Sequence, residues 1–488
     1  MTAESERRGL LDPSDWDSFA EHAHALLDRM IARLRHAGDG PVWRPVPDDV
    51  KRRLAQPAPA QPEAIDHLLA DLSDLVLPYA VGNTHPRFWG WVHGSGTPGG
   101  VLAEMVAATL NENCGGRDHG GIYLERAVVD WARQWFEFPV GAAGLLVSGS
   151  SMANLLGLTV ARQNGGGADI RSRGLAGAPL VAYASAQAHS SLGKAMELLG
   201  LGREAMRPVP VGTDLAMDVA ELQDAIAADR AAGRIPFCIA ATAGSVGTGA
   251  FDDLRAIAAL CRKEGLWMHV DGAFGALVRL TPDLAHLAAG IDQADSIAFD
   301  FHKWLHVPYD AGCLLVRDGA RLRATFGGRP DYLASIGGLS AGEPWPSDLG
   351  IELSRGLRAL KVWWTVKEQG TERLGKAIAR NCAQARRLAT LLSEIPEIVV
   401  AAPVPLNIVC CRYTVPGRDG DALDALNAAI VVAIQESGVA VTSSCRIDGR
   451  LCLRICITNH RSRDDDFDLL ARTIAATGTR LAAATPGV

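Results

Sequence analysis

Two short runs hold the residues with the clearest chemical promise. Residues 266–273, LWMHVDGA, end an apolar run at Asp271, and residues 295–304, DSIAFDFHKW, end another at His302 and Lys303. Each run is rich in β-branched or aromatic residues and stops abruptly at polar side chains, the pattern of a buried parallel strand. In an open α/β sheet, ligands lie beyond the carboxyl ends of the strands, so an acid and a lysine delivered from separate strands face one pocket. An arbitrary lysine is a solvated surface charge about nine times in ten. Lys303 departs from that expectation because it follows a run that must be buried. Loss of solvation favours the free amine, a nucleophile toward carbonyl carbon.

Pyridoxal phosphate matches both needs at once. It is an aldehyde that a lysine can hold, and its ring nitrogen serves as an electron sink when a carboxylate keeps it protonated. Asp271 is the expected carboxylate. A third element is SGSS at residues 148–151, where a strand gives way to a helix. Backbone N–H groups and hydroxyls at such a helix start bind phosphate. Taken alone the motif is no more than an N-cap, and with GxxxxGK[ST] absent it is not a P-loop.

HVDGA followed about thirty residues later by DFHKW resembles the group II pyridoxal-phosphate decarboxylases, which act on aromatic amino acids, tyrosine, glutamate or diaminobutyrate. The chain is similar to the aromatic-L-amino-acid branch from about residue 83 to residue 466. The resemblance implies an α/β fold, the fold type I of pyridoxal-phosphate-dependent transferases. Its expected parts are an N-terminal helical arm (1–82), a large cofactor-binding domain with a mainly parallel seven-stranded sheet (83–365) and a smaller C-terminal α+β domain (366–488). In this family the arm packs on the partner subunit of a homodimer. The implied activity is decarboxylation of an L-amino acid, aromatic or large and apolar, to an amine and carbon dioxide with pyridoxal 5'-phosphate.

By the same resemblance, Lys303, Asp271, His189 and Tyr332 are the catalytic group. His189 matches a histidine that stacks on the pyridine face, Ala273 packs under the ring, Ser150 and Ser151 hold the phosphate, and His302 and Ser245 lie beside the cofactor. Asp252 matches an acid that orders local structure. Asp300 stands where some relatives have an asparagine facing the phosphate, so its carboxylate needs a partner to avoid repelling that group. Tyr332 matches a loop tyrosine that returns a proton to Cα; related aldehyde synthases carry phenylalanine there. THPRFWGWVHGSG at residues 84–96 matches the stretch that lines the substrate pocket, which offers Phe88, Trp91 and His93 with Asn113 further on. The following NENCGGRDHGGIYLE lacks the SPAxTELE motif of aromatic decarboxylases. Rival reactions on the same cofactor are oxidative deamination to an aldehyde, transamination and carbon–carbon lysis. A non-catalytic binding protein on the same fold is a rival of another class, against which intact Lys303 and Asp271 argue.

The elements that must carry these residues follow from periodicity. A net charge of −7 over 488 residues, without a Lys/Arg block, argues against nucleic acid or anionic membrane as a partner. The first residues lack an apolar leader, and no apolar stretch of about twenty follows; the expected location is cytoplasmic. Ten scattered cysteines without a CxxC pair, and thirteen histidines without HExxH, predict neither a disulfide framework nor a metal site. Residues 13–36 read as an amphipathic helix capped by Asp12, joined by a Pro-rich linker to a helix near 63–77. Helices are expected at 102–110 and 124–136, then βα alternation through the two opening strands, which predicts a mainly parallel sheet wrapped by helices. The Gly/Ala-rich patch at 164–177 reads as a flexible loop. Helices at 354–368 and 371–393, broken at Gly370, lead to strands in IVVAAPV, NIVCCRYTV, VAVTSS and LCLRICIT.

Overall fold

A computed structural model describes residues 11–166, 170–175, 177–328 and 336–484. Seven strands form the central sheet: β1 (Ala143–Val147), β2 (Leu180–Ser185), β3 (Met206–Val209), β4 (Ile235–Thr242), β5 (Trp267–Asp271), β6 (Ser296–Asp300) and β7 (Gly312–Val316). Their order is β1-β7-β6-β5-β4-β2-β3. From β3 to β6 every neighbour is parallel, whereas β7 is antiparallel to both β6 and β1. Two reversals cancel, so β1 runs with β6. The carboxyl ends of β1, β4, β5 and β6 therefore share one edge.

Every residue of β5 and β6 is buried. The pleat sends alternate side chains to opposite faces. Ile239, Val270, Ile297 and Leu315 enter one core, while Cys238, Trp267, Ala298 and Leu314 enter the other, beneath the helix Ser150–Gly166. Helices on both faces explain why these strands read as continuous apolar runs.

A second sheet, all antiparallel, has the order β10-β11-β9-β8, with β8 at Ile398–Val400, β9 at Ile408–Tyr413, β10 at Ser443–Ile447 and β11 at Arg450–Cys456. The helices Gly420–Glu436 and Asp464–Ala484 contribute Ile430, Phe467 and Ile474 to its core. Trp89 is buried in that same core although it lies far earlier in the chain. Its backbone N–H donates to Val441 at 2.7 Å, and its carbonyl accepts from Cys456 at 2.9 Å. Residues 84–96, expected to line the substrate pocket, are thus held by the small sheet. No helix among the described residues is long and apolar enough to cross a membrane.

Several local expectations change. The first helix runs Trp16–Arg35 and is capped by Asp15, not Asp12; the Asp15 carboxylate accepts from Ser18 N–H at 3.0 Å, which a residue four places before the helix cannot do. The Pro-rich linker contains a short helix, Asp48–Leu54, anchored by buried Val50. The expected loop at 164–177 is partly helical, in Ser150–Gly166 and Ile170–Arg173. Two of its glycines serve close packing: a Cβ on Gly165 would lie 2.5 Å from Phe237 Cβ, and one on Gly166 would lie 2.0 Å from Ile170 Cδ1. The strand expected in VAVTSS begins only at Ser443, because Val441 is spent on Arg87 and Trp89.

Candidate active site

A cavity of about 490 Å³ opens at the shared carboxyl edge, with Asp271, Lys303, His189, Ser150, Thr242 and Tyr309 in its wall. Lys303 lies in the helical turn Phe301–Trp304 that directly follows β6. The segment around Gly94 packs against this turn. A Cβ on Gly94 would stand 1.9 Å from the carbonyl oxygen of His302 and 2.6 Å from that of Lys303, so only glycine permits the approach.

The Lys303 Nζ lies 2.8 Å from Asp300 Oδ2, and the lysine side chain is 21% exposed. The other Asp300 oxygen accepts the N–H of Ser150 at 2.7 Å. Asp300 therefore has the partners that its carboxylate was expected to need. This also corrects the expected environment of Lys303: the amine is partly exposed and held in an ion pair, not stripped of partners by burial. His302 accepts the N–H of Ala311 on Nδ1 at 3.0 Å and packs its ring 4.3 Å from that of Tyr309, and burial holds its pKa below the usual histidine value.

Asp271 ends β5 and is 4% exposed. One of its oxygens accepts from Asn154 Nδ2 at 3.0 Å and the other from Ala273 N–H at 3.2 Å. His189 stands at the open side of the cavity with Nδ1 2.8 Å from Ser191 Oγ. Asp252 accepts the N–H groups of Thr242 and Met217, both at 2.7 Å, and so fixes the end of β4.

The residues present fit pyridoxal 5'-phosphate. Ser150 and Thr242 line the cavity, and their buried Oγ and Oγ1 have no hydrogen-bond partner among the described residues. A buried hydroxyl left unpaired costs about 1–3 kcal/mol, so both favour a polar ligand. Ser151 joins Ser150 at the start of the helix, and Asp271 presents an acid in the same cavity.

Three expected site residues are placed elsewhere. Ser245 Oγ is spent inside its own loop on Thr248 and Ala250, which leaves Gly244 and Val246 to line the cavity. Phe88 is 2% exposed and packs with Val42 and Val441 behind the wall, its ring 5.5 Å from that of His93. Asn113 lies outside the cavity, where its Oδ1 accepts from Gly115 and Arg355 backbone N–H groups. Trp91, His93, Ser150, Ser151, Ala273 and His302 do line it. Tyr332 lies outside the described residues.

Sequence reasoning missed Tyr309, Asn154 and Arg454. Tyr309 follows a turn and carries no periodic signal; burial pushes its phenol up to about 12. Asn154 had a signal, a lone amide in the apolar stretch MANLLGL. Arg454 belongs to β11 and is 3% exposed. Its Nε donates to Val246 O at 2.7 Å and its Nη1 to Trp91 O at 3.1 Å, so it fastens two pieces of the cavity wall.

Comparison with known proteins gives a consistent picture. The family described as "Pyridoxal-dependent decarboxylase conserved domain" matches residues 47–414. The chain is 32% identical over 470 residues to an aromatic-L-amino-acid decarboxylase of Bacillus atrophaeus, covering 95% of this chain and 96% of the relative. It is 28% identical over 460 residues to a phenylacetaldehyde synthase of Arabidopsis thaliana, covering 92% and 93%. Among solved structures it superposes on Oryza sativa TDC with PLP and tryptamine at a TM-score of 0.89 and 25% identity, over 96% of this chain and 99% of the other.

Proposed function

The chain belongs to the pyridoxal-dependent decarboxylase family and decarboxylates an L-amino acid with pyridoxal 5'-phosphate, and we propose that its substrate is aromatic. The observation that carries this reading is the meeting of Lys303 and Asp271 in one cavity with a wall of rings. Trp91 stacks on His93 at 5.8 Å, His93 meets Tyr309 at 6.1 Å, and Tyr309 meets His302 at 4.3 Å. Such a wall accepts a flat apolar side chain by stacking. When bound, the cofactor supplies an electron sink for the pair left as carbon dioxide departs.

The residues divide the remaining work. Lys303 would hold the aldehyde carbon, Asp271 the ring nitrogen, and Ser150 and Ser151 the phosphate. His189 and Ala273 would cover the ring, and the Tyr332 phenol returns a proton to Cα. With purified enzyme and added cofactor, L-tryptophan, L-tyrosine or L-phenylalanine should give amine and carbon dioxide in equal amounts. Their kcat/KM should exceed that of L-glutamate or L-2,4-diaminobutyrate by roughly tenfold or more. Preference for an acidic or basic amino acid would overturn the aromatic reading. Aldehyde, ammonia and peroxide in place of amine would establish oxidative deamination instead, the reaction type suggested by the synthase relative.

We further propose the division 1–82, 83–365 and 366–488, with the arm covering a second copy of the chain. The helix Trp16–Arg35 has no buried residue and exposes Trp16, Phe19 and Ile31. Beside it, the helix Pro98–Leu110 exposes Val101, Leu102, Met105 and Val106. Apolar surface of this extent marks an interface. Sedimentation should give twice the 51.7 kDa chain mass, and Trp16→Glu with Phe19→Glu should shift it toward one chain. A wild-type monomer at micromolar concentration would sink the proposal.

A further inference from the structure

Behind Asp271 runs a chain of hydrogen bonds whose direction is fixed by the carboxylate at its near end. Trp267 and Ser296 lie at the start of β5 and β6, away from the cavity. The indole N–H of Trp267 is a donor only, and it donates to Ser296 Oγ at 2.8 Å. Ser296 Oγ lies 2.8 Å from Nδ1 of His269, its cross-strand partner; because Nε2 of that ring faces the Asn154 carbonyl oxygen, Nδ1 is the acceptor and the serine O–H donates to it. His269 is wholly buried, and desolvation lowers its pKa to about 3. The neutral ring then carries its hydrogen on Nε2, which donates to Asn154 Oδ1 at 2.9 Å.

Asn154 passes the polarity on to both sides of the site. Its Nδ2 donates to Asp271 Oδ2 and to Ser191 Oγ, each at 3.0 Å. The opposite amide orientation would set its carbonyl oxygen against the Asp271 carboxylate. Having accepted from Asn154, the Ser191 hydroxyl donates to His189 Nδ1, which also takes the Ser191 N–H at 3.2 Å. His189 in its neutral form is thereby left with its hydrogen on Nε2. The packing makes room for this arrangement: a Cβ on Gly157, one turn beyond Asn154, would stand 2.7 Å from His269 Cε1.

We propose that Asn154 is a positioning residue that sets Asp271 and His189 together, with Trp267, Ser296 and His269 holding its amide in the one productive orientation. The proposal rests on the cofactor-site reading of Asp271 and His189 given above. With its oxygens fixed by Asn154 and by the Ala273 N–H, Asp271 would present its remaining lone pairs to a ring nitrogen in one orientation, and a defined imidazole hydrogen on His189 would give the ring face one fixed donor. Asn154 and the three residues behind it thus act through Asp271 and His189.

The test uses full-length protein reconstituted with pyridoxal 5'-phosphate. Asn154→Leu removes every bond of the hub at similar volume, while Ser296→Ala breaks the chain at a residue that does not line the cavity. For Asn154→Leu, cofactor affinity should fall roughly tenfold or more, and the pH midpoint of the visible cofactor band should move by about one unit. kcat should fall with KM little changed, and Ser296→Ala should move the same readings in the same direction by less. A merely structural role would lower the melting temperature and leave the midpoint in place, and that result overturns the proposal. Should Asn154→Leu not fold, an unmoved midpoint in Ser296→Ala overturns it alone. A wild-type protein that develops no visible band with the cofactor would instead overturn the site reading itself.

Discussion

Lys303→Arg and Lys303→Ala lose amine production and the visible cofactor band together, with turnover down at least about a thousandfold, or roughly 4 kcal/mol. No other lysine lines the cavity among the described residues, so no second amine can take over. The arginine variant carries the sharper test. It keeps a cation beside Asp300, which in the wild type is 2.8 Å from Nζ, yet a guanidinium does not deprotonate to a nucleophile. If the lysine served only to neutralise Asp300, arginine would restore function. Turnover in Lys303→Arg above one-tenth of wild type would rule out the nucleophilic role.

The second large effect concerns stability. Arg355 and Glu125 form a two-pronged ion pair at 2.9 and 2.6 Å, with side chains only 1% and 6% exposed. The arginine also donates to Cys114 O at 3.0 Å and Leu146 O at 2.5 Å, while Glu125 accepts the Leu146 N–H at 2.9 Å. Arg355→Met leaves the carboxylate buried without its counterion, a loss expected to cost about 3–5 kcal/mol. Adding Glu125→Leu should recover much of that loss, because both charges and their desolvation then disappear. Chemical denaturation of the single and double variants at fixed cofactor concentration measures both numbers. A single-variant loss below about 1 kcal/mol would show that the pair does not hold β1 in place.

How much was legible depended on whether residue type and burial pointed the same way. Asp271 and Lys303 stood out because each breaks an apolar run where a strand must end, and strand ends are where a parallel sheet puts its ligands. SGSS was legible for the same reason at the end of β1. Polar residues inside buried strands were harder to interpret. His269 and Ser296 interrupt WMHVD and SIAFD, and only the pairing of β5 with β6 shows that they face each other. Ser245 misled because serine is as useful for closing a loop as for touching a ligand, and here it closes the loop. Phe88 and Trp91 are three residues apart, so alternation alone could not tell which faced inward; the backbone of Trp91 takes a φ of +49° that breaks the alternation. Asn113 lay in a stretch without periodicity, and its position is set by distant Arg355.

The two sides of the cavity are anchored in different sheets. Asp271 and Lys303 are carried by β5 and the end of β6, whereas Trp91 is tied by Arg454 to β11, and Trp89 is buried among the helices of the second sheet. Trp91 and His93 thus bring part of the ring wall from a different piece of sequence than Lys303, while His302 and Tyr309 bring the rest from beside it. Transplanting β9 to β11 together with residues 84–96 from a relative of different specificity should exchange selectivity while leaving the electron-withdrawing machinery intact.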